Sequence, residues 1–458
     1  MTKEFGNLLD LLKSNISENI ALAFNVASNY KTEFEAHFAM PLEDYEELCL
    51  YLKKHENPDK LYDDDNRYGQ DFLNNLDIKM LNYQYEPDIT IIPKSIKYLR
   101  DLEEMRVCNC AVVSFPKEIS ELTKLKKIEI TNNKLTKIPK EIALLQDLEE
   151  LKLSGNNLKS IPKEIGKLKK LTRLNLWANN LKSIPKEIGN LSCLENLDIG
   201  HNKFTDLPNE LAALTNLTHL TLWNNDFANF ISRENAVVWK IKTLEYLDLH
   251  ETKLENISLK IGNLTNLDTL ELQKNALEYL PKEIGKLKNI SQLCLHENKL
   301  KEIPREIGKL HKVDWIQLND NQLQNLPKEI GKMKRLRTLF LANNQFQAFP
   351  CGLVDVKKLC FLDLTNNQIP SVPKEVGQLK KLVAFYLKGN NIEELPQEIG
   401  DLEDLEMLYL EGNPLKIFPT QLKNLKKLRA LFFDEVQKIQ FKSEIKMLKK
   451  TNPSITFY

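Results

Sequence analysis

The sequence of 458 residues has no apolar run long enough to cross a membrane. A transmembrane helix needs about 18 or more consecutive apolar residues, and no stretch of the chain supplies them. The first residues, MTKEFGNLLDLLKSN, also lack the basic segment and apolar core of a secretory leader. These absences predict a cytoplasmic protein without a membrane partner.

An excess of charge of either sign is missing too. Lys and Arg total 64, and Asp and Glu also total 64. This balance gives no reason to expect nucleic acid or an anionic membrane as the main partner. The charge is nevertheless unevenly placed, because residues 1–75 hold 15 acidic and 7 basic side chains, a net of −8.

Paired cysteines and catalytic signatures are also absent. The seven cysteines are scattered and show neither CxxC nor His-partnered spacing, which predicts free thiols in a reducing compartment and no metal site. The chain contains no GxxxxGK(S/T), HExxH or GxSxG motif. The sequence therefore predicts a protein that is not an enzyme and needs no cofactor.

What the sequence does contain is one pattern that recurs along most of the chain. From Leu102 onward, L-x-x-L-x-L-x-x-N-x-L-x-x-(I/L)-P-x-x-(I/L) occurs in 14 repeats, and a truncated fifteenth begins at Leu428. The spacing is 23 residues except in the repeat at 217–243, which has 27. Such a period is typical of a solenoid, in which each repeat buries its apolar face against its neighbours.

Each repeat position has a physical interpretation. In LTRLNLWANNL, Leu174 and Leu176 alternate with Arg173, Asn175 and Trp177, so this segment is predicted to be a strand with one buried face, and stacked copies form a parallel sheet. Asn holds the ninth position in 12 repeats, where its amide can donate and accept hydrogen bonds at the strand end. Cys110 and Thr252 replace it, and Cys110 is predicted to be a buried member of this column.

These motifs resemble the leucine-rich repeat family. LKLSGNNLKSIPKEIGKLKKL carries its consensus, and LPxxIxxLxxL is similar to the intracellular 23-residue class of Ras-pathway scaffolds, plant intracellular proteins and bacterial proteins. Near-identical units such as IPKEIGKLKKL most resemble bacterial members. The resemblance implies an α/β fold, a curved horseshoe solenoid with a parallel sheet on its concave face.

Three segments are expected: an acidic α-helical domain at 1–75, the solenoid at 76–434 and a helix-containing cap at 435–458. Helical periodicity in NLLDLLKS, SENIALAFNVASNY and PLEDYEELCLYLKKHE predicts the helices, and NPDKLYDDDNRYG predicts a loop. The segment ITIIPKSIKYL keeps Pro93 and Ile96 at the positions that the repeat pattern requires but loses the strand consensus, as is expected of a degenerate repeat at the start of a solenoid. The long repeat at 217–243 is either a convex insertion or a second contact site presenting Trp239.

The third, fifth and seventh positions of each repeat are expected to face the concave side, where aromatic and histidine residues cluster. Contiguous exposed aromatics are typical of interface centres. The candidate partner-binding residues, including the eighth-position His201, form an expected aromatic and acidic track: Trp177, Asp198, His201, His219, Trp223, Tyr246, Asp248, His250, Glu271, His296, Trp315, Phe340, Phe361, Tyr386 and Tyr409.

The acidic residues among the aromatics predict a protein or peptide partner with basic and apolar character, bound by a non-catalytic scaffold or adaptor. Several alternatives remain open: aromatics that only pack on each other, a carbohydrate or small-ligand binder, a secreted bacterial effector or host-interaction factor, or a purely structural repeat protein. His250 and His296 lie two strands apart, roughly 10 Å, which disfavours a metal site. Histidines could also make the interface pH-sensitive. The oligomeric state is not predicted.

Overall fold

The computed structural model describes residues 17–53 and 79–458, together with Glu4, Asn7, Leu8 and Leu11. The loop predicted at 57–69 and most of the helix predicted at 7–14 lie outside the described residues. The chain forms two compact units, which meet in sequence at Leu217 and Thr218. The described helices are all too short or too polar to cross a lipid bilayer.

Among the described residues of the first unit, Glu4, Asn7, Leu8 and Leu11 are helical, and three helices and six short strands follow them. The helices are α1 Ser17–Ala27, α2 Lys31–Phe38 and α3 Leu42–Lys53, with a 3₁₀ turn at Ser28–Tyr30 between the first two. The strands are β1 Met80–Gln84, β2 Glu104–Cys108, β3 Lys127–Glu129, β4 Glu150–Lys152, β5 Arg173–Asn175 and β6 Asn196–Asp198. Each strand pairs in parallel with the next along the chain.

The helices of the first unit pack their aromatic residues together and contact the first repeat. Phe34 of α2 and Tyr45 of α3 are buried and meet edge to face, with ring centroids 5.0 Å apart. The hydroxyl of Tyr98 donates to Asp44 Oδ2 at 2.9 Å, and the ring of Tyr51 lies 5.2 Å from that of Tyr83 on β1. These contacts cover the apolar end of the repeat stack, which a solenoid must bury.

The second unit contains eleven strands and two helices in the order of the chain. Strands β7 to β17 span His219–Thr221, Tyr246–Asp248, Thr269–Glu271, Gln292–Cys294, Trp315–Gln317, Thr338–Phe340, Phe361–Asp363, Ala384–Tyr386, Met407–Tyr409, Ala430–Phe432 and Thr456–Phe457. Helices α4 Glu435–Gln440 and α5 Lys442–Thr451 stand between the last two strands. All successive strand pairs are parallel.

A short 3₁₀ helix follows each repeat strand and returns the chain to the next one. A proline precedes most of these helices, because its fixed φ starts the turn and it has no N–H to satisfy. In the first unit they are Lys94–Tyr98, Lys117–Glu121, Lys140–Leu144, Lys163–Lys167, Lys186–Asn190 and Asn209–Ala213. In the second they are Val237–Lys240, Leu259–Asn263, Lys282–Lys286, Arg305–Lys309, Lys328–Lys332, Cys351–Asp355, Lys374–Gln378, Gln397–Asp401 and Thr420–Asn424.

Leucine and isoleucine columns form the core between the strands and the 3₁₀ helices. In the repeat that contains β5, Leu171, Leu174, Leu176 and Leu181 are at most 1% exposed. Each buried leucine contributes about 1.5–3 kcal/mol relative to leaving it exposed, and the repetition of this burial in consecutive repeats holds each unit together. The predicted leucine-rich repeat solenoid is thus confirmed.

The structure adds a strand before the degenerate segment and bears on the two interpretations of the long repeat. Met80–Gln84, which precedes the segment ITIIPKSIKYL, forms a five-residue strand that buries Leu81 and Tyr83. Trp239 is not presented on the surface but is 1% exposed, and its Nε1 donates to the carbonyls of Ile231 and Arg233 at 3.0 and 3.2 Å. The long repeat therefore folds its extra residues around its own tryptophan, because an indole N–H needs a buried acceptor.

Candidate protein-binding surface

The strands expose one face in each unit, formed by the third, fifth and seventh positions of the repeats and here named the open face. In β11, for example, Trp315 and Gln317 lie on this face, whereas Ile316 between them is buried. Strand pairing places corresponding positions of consecutive repeats beside each other, as with Trp315 and Thr338. The sequence period alone thus predicts which side chains become neighbours.

The predicted asparagine column fixes the chain where each strand ends. Asn179 Nδ2 donates to the carbonyls of Leu153, Leu176 and Trp177 at 2.9–3.2 Å, and its Oδ1 accepts from the N–H of Leu158 at 3.0 Å. The predicted role of this column is confirmed. Cys110 occupies the same position half-buried, with its Sγ 3.3 Å from the carbonyl oxygen of Cys108.

The residue before this column adopts a left-handed backbone in all 14 repeats, with φ between 49° and 66°. Glycine and asparagine tolerate this region best, but the chain also places other residues there, including Ala178 and His201. The candidate His201 therefore lies at a tight turn, where it is exposed.

Charged residues occupy much of the open face of the first unit and neutralise each other. Lys127 lies 2.9 Å from Glu104, Lys152 lies 2.7 Å from Glu150, and Arg173 lies 3.8 Å from the same Glu150. Burial opposes the ionisation of Glu150, but its basic neighbours outweigh burial and lower its pKa. This part of the open face carries mixed, internally paired charge.

Three of the candidate residues belong to the first unit. Trp177 is half-buried just after β5, and its backbone N–H donates to Asn175 Oδ1 at 3.0 Å. In the next repeat the Oδ1 atom of Asp198 accepts a hydrogen bond from the backbone N–H of Gly200 at 3.0 Å. Asp198 is therefore used at least in part to close the strand end, a local role that asparagine and aspartate commonly fill.

The second unit opens with two aromatic pairs that contain histidine, named here the histidine–aromatic pairs. The rings of His219 and Tyr246 stack at 5.8 Å, and those of Trp223 and His250 stack at 4.7 Å with 10° between their planes. His250 Nδ1 lies 2.6 Å from Oδ1 of Asp248, which is only 5% exposed. Asp248 is thus an internal support for His250 rather than an exposed charge.

Polar residues fill the next two strands of the open face. Glu271 lies beside Cys294 across the strand pair β9–β10. Burial and the neighbouring Glu271 raise the pKa of the Cys294 thiol, so the thiol stays protonated at neutral pH. Burial also lowers the pKa of the imidazole of His296, against the opposing effect of Glu297 at 3.9 Å.

An unbroken row of rings follows and is named here the aromatic row. Neighbouring ring centroids are 3.9–5.3 Å apart along Trp315, Phe340, Phe361, Tyr386, Tyr409, Phe432 and Tyr458. The three pairs nearest Trp315 are tilted by 39–55°, whereas the three nearest Tyr458 are stacked within 14°. Burial, followed by the hydroxyl of Tyr409, raises the pKa of Tyr386.

The structure therefore divides the expected track within the second unit. Strands β9 and β10, which carry Glu271 and Cys294, separate the histidine–aromatic pairs from the aromatic row. Lys274 is a basic residue in this acidic part of the surface. Its ammonium group forms an ion pair with Glu251 at 2.9 Å, and this contact raises the pKa of Lys274. The acidic groups of this part thus lie between two aromatic surfaces.

One member of the aromatic row is not evident from the repeat pattern. Tyr458 lies beyond both cap helices, where β17 returns to pair with β16 and places its ring 4.6 Å from Phe432. The alternating SITFY segment is strand-like, but its partner strand is not indicated by any repeat spacing. Tyr458 is 55% exposed at the end of the row.

The histidines do not form a metal centre in the described part of the chain. Among those residues, no three His, Cys, Asp or Glu side chains are grouped closely enough to hold a metal ion. His250 and His296 belong to different repeats, with the repeat of Gln273 between them. His250 is instead held by Asp248.

Comparison with known proteins identifies the repeat. The model of the leucine-rich repeat region matches residues 59–180, 117–229, 232–342 and 352–452. A leucine-rich repeat protein of Leptospira interrogans is 30% identical, over 86% of this chain and 98% of its own, with a TM-score of 0.71. The plant peptide hormone receptor RGFR1, solved with RGF2, is 26% identical over 74% of this chain and 60% of its own, with a TM-score of 0.58.

An internalin of Listeria monocytogenes shares the fold at 22% identity, covering 75% of this chain and 88% of its own, with a TM-score of 0.54. No curated protein matches the sequence. The family match covers most of the chain, and the repeats it spans share the strand and the 3₁₀ helix, with asparagine at the ninth position in 12 of the 14 full repeats. This chain belongs to the leucine-rich repeat proteins.

Proposed function

We propose that this protein is a non-catalytic scaffold that binds a protein or peptide on the open face of its second unit. The observation that carries the proposal is the aromatic row, seven rings in continuous contact with Trp315 36% exposed at one end and Tyr458 55% exposed at the other. Aromatic side chains bury a large area at small entropic cost, which suits them to interface centres.

The acidic surroundings favour a partner with basic groups. Asp268 and Asp314 are exposed at the starts of β9 and β11, and Glu271 lies on the open face between the two aromatic surfaces. Opposite charge increases association rates and fixes orientation more than it adds affinity. We therefore expect the rings to supply most of the binding energy and the carboxylates to select a Lys- or Arg-bearing segment.

The ring geometry favours a polypeptide over a carbohydrate. A sugar stacks on the face of an aromatic ring, but Tyr386, Tyr409 and Phe432 have their faces against neighbouring rings at 3.9–4.6 Å. These rings present mainly their edges outward, and edges suit carbonyl oxygens and aliphatic side chains. The relative solved as a plant peptide hormone receptor in complex with RGF2 is consistent with this class of ligand.

The proposal is tested by peptide selection on the whole protein. A random peptide library displayed on phage would be selected on the immobilised chain, and we expect enriched peptides to combine Lys or Arg with apolar residues. The double variant Trp223→Ala, Trp315→Ala should fold and lose at least roughly 30-fold in affinity for them, because buried tryptophans are common hot spots.

The matched control is Tyr279→Ala, which removes an aromatic side chain 48% exposed outside the open face. The ring of Tyr279 contacts the ammonium group of Lys301 at 5.7 Å and no residue of the open face is changed by its removal. The variant therefore measures how much peptide affinity is lost when any exposed aromatic side chain is removed. Selected peptides that bind the double variant as tightly as the parent protein would refute the open face as the contact surface.

A further inference from the structure

The end of the chain carries a local excess of positive charge that the overall balance conceals. From Thr420 to Tyr458 there are nine basic and three acidic side chains, whereas residues 1–75 are strongly acidic. The whole-chain balance by itself gives no reason to expect an anionic membrane as a partner, but long-range attraction depends on where the charges lie. The C-terminal segment is therefore the basic end of the second unit.

Helix α5 arranges its lysines as a stripe. Lys442, Lys446 and Lys450 are four residues apart and all exposed, so they lie along one face of the helix. The opposite face is anchored by Leu448, which is 4% exposed. Among the described residues, no carboxylate lies within ion-pair distance of these three lysines, while Lys438 on α4 is bound to Glu435 at 2.7 Å.

Large apolar side chains are exposed on the same two helices. Val436 and Ile439 are 73% and 76% exposed and lie three residues apart on the outer face of α4. Met447 is 69% exposed beside the lysine stripe of α5. The inner side of α4 is fixed by Gln437, 3% exposed, whose Nε2 donates to the carbonyls of Leu410 and Asn413 at 3.1 and 2.8 Å.

We propose that this surface, formed by α4 and α5, docks on an anionic phospholipid membrane. Lysine is depleted from protein–protein interfaces, where arginine and aromatic residues are preferred, and the two helices carry lysines with aliphatic side chains and no arginine. Lysine clusters on an amphipathic helix attract anionic headgroups without a fixed geometry, and apolar side chains beside them enter the headgroup boundary. The membrane contact is peripheral and independent of the open face.

The test is co-sedimentation of the whole protein with vesicles. We expect binding to vesicles of phosphatidylcholine with phosphatidylglycerol, no binding to phosphatidylcholine alone, and a steep loss of binding as salt is raised. The triple variant Lys442→Gln, Lys446→Gln, Lys450→Gln should lower partitioning by about 100-fold. The double variant Val436→Ser, Ile439→Ser should lower it by about tenfold at unchanged charge.

The matched control is Lys286→Gln, Lys309→Gln, Lys332→Gln, which removes the same charge from three exposed 3₁₀-helix positions of the second unit. All substituted side chains are exposed, so we expect each variant to fold, and circular dichroism would verify this. Equal loss of vesicle binding in the control and the α5 variant would overturn the assignment to this surface. Absence of vesicle binding would overturn the proposal that this surface docks on a lipid membrane. Binding to poly-L-glutamate in that case would indicate that its partner is an acidic polypeptide.

Discussion

Replacement of Asn179 by alanine tests the feature that fixes the open face. The amide of Asn179 donates to three carbonyls and accepts from Leu158 N–H at 3.0 Å. The three carbonyls keep other donors, because Leu153 also accepts from Asn156, Leu176 from Asn202, and Trp177 from the N–H of Gly155. The group left without its partner is thus the buried N–H of Leu158.

This accounting sets the expected size of the effect. An orphaned buried N–H costs about 1–3 kcal/mol, and the lost donated bonds add roughly 1 kcal/mol because their acceptors remain satisfied. We expect Asn179→Ala to lower the free energy of unfolding by about 2–4 kcal/mol. Four fully orphaned groups would instead imply a loss of about 4–12 kcal/mol, roughly two to three times as large.

Urea unfolding, followed by circular dichroism and tryptophan fluorescence, measures the change, and hydrogen exchange of residues 153–181 localises it. Asn157→Ala is the matched control, since Asn157 is exposed in the neighbouring repeat and its backbone N–H bonds to Leu135 without its side chain. Its expected effect is within about 0.5 kcal/mol. Indistinguishable stabilities of the two variants would show that the asparagine column does not stabilise the strand ends.

Two further predictions concern backbone conformation and pH. Gly155→Ala should destabilise the protein by about 1–2 kcal/mol, because φ is +64° and the new Cβ would overlap Oδ1 of Asn132. Ala178→Gly, at φ +52°, should be neutral or stabilising by up to about 1 kcal/mol. Thermal unfolding measures both changes, and losses of equal size in the two variants would contradict strain at the left-handed position. Burial lowers the pKa of His296 in the folded protein, so as the pH falls the unfolded chain takes up a proton on this histidine before the folded protein does. The contribution of neutral His296 to stability is therefore complete above about pH 6.5 and declines as the pH falls below that value. Unfolding midpoints at pH 7.5 and 5 should therefore differ less in His296→Gln than in the parent protein, and an unchanged difference would refute this.

The repeat allowed the positions of many candidate residues to be predicted from sequence. Leu174 and Leu176 had to be buried on one strand face, so Trp177 had to lie on the other, and the 23-residue spacing placed Trp315, Phe340, Phe361, Tyr386 and Tyr409 at predictable positions of the strands. Local alternation and a constant period are sufficient for this, because parallel pairing transmits the register from one repeat to the next.

Other features depend on contacts that no period encodes. Asp248 lies at a strand position that predicts an exposed charge, but it is 5% exposed and its Oδ1 accepts from the backbone N–H of His250. Trp239 is also buried, and its indole N–H donates to the carbonyls of Ile231 and Arg233. Tyr458 joins the aromatic row only because β17 returns to β16.

The sequence alone determined the repeat, its strands, the asparagine column and the face on which each periodic residue lies, since these follow from local chain geometry. The tertiary structure decided which of those residues contact each other, which carboxylates are buried and where the aromatic row ends. These depend on side-chain packing and on the path of the non-repeating end of the chain, whose partners are distant in sequence.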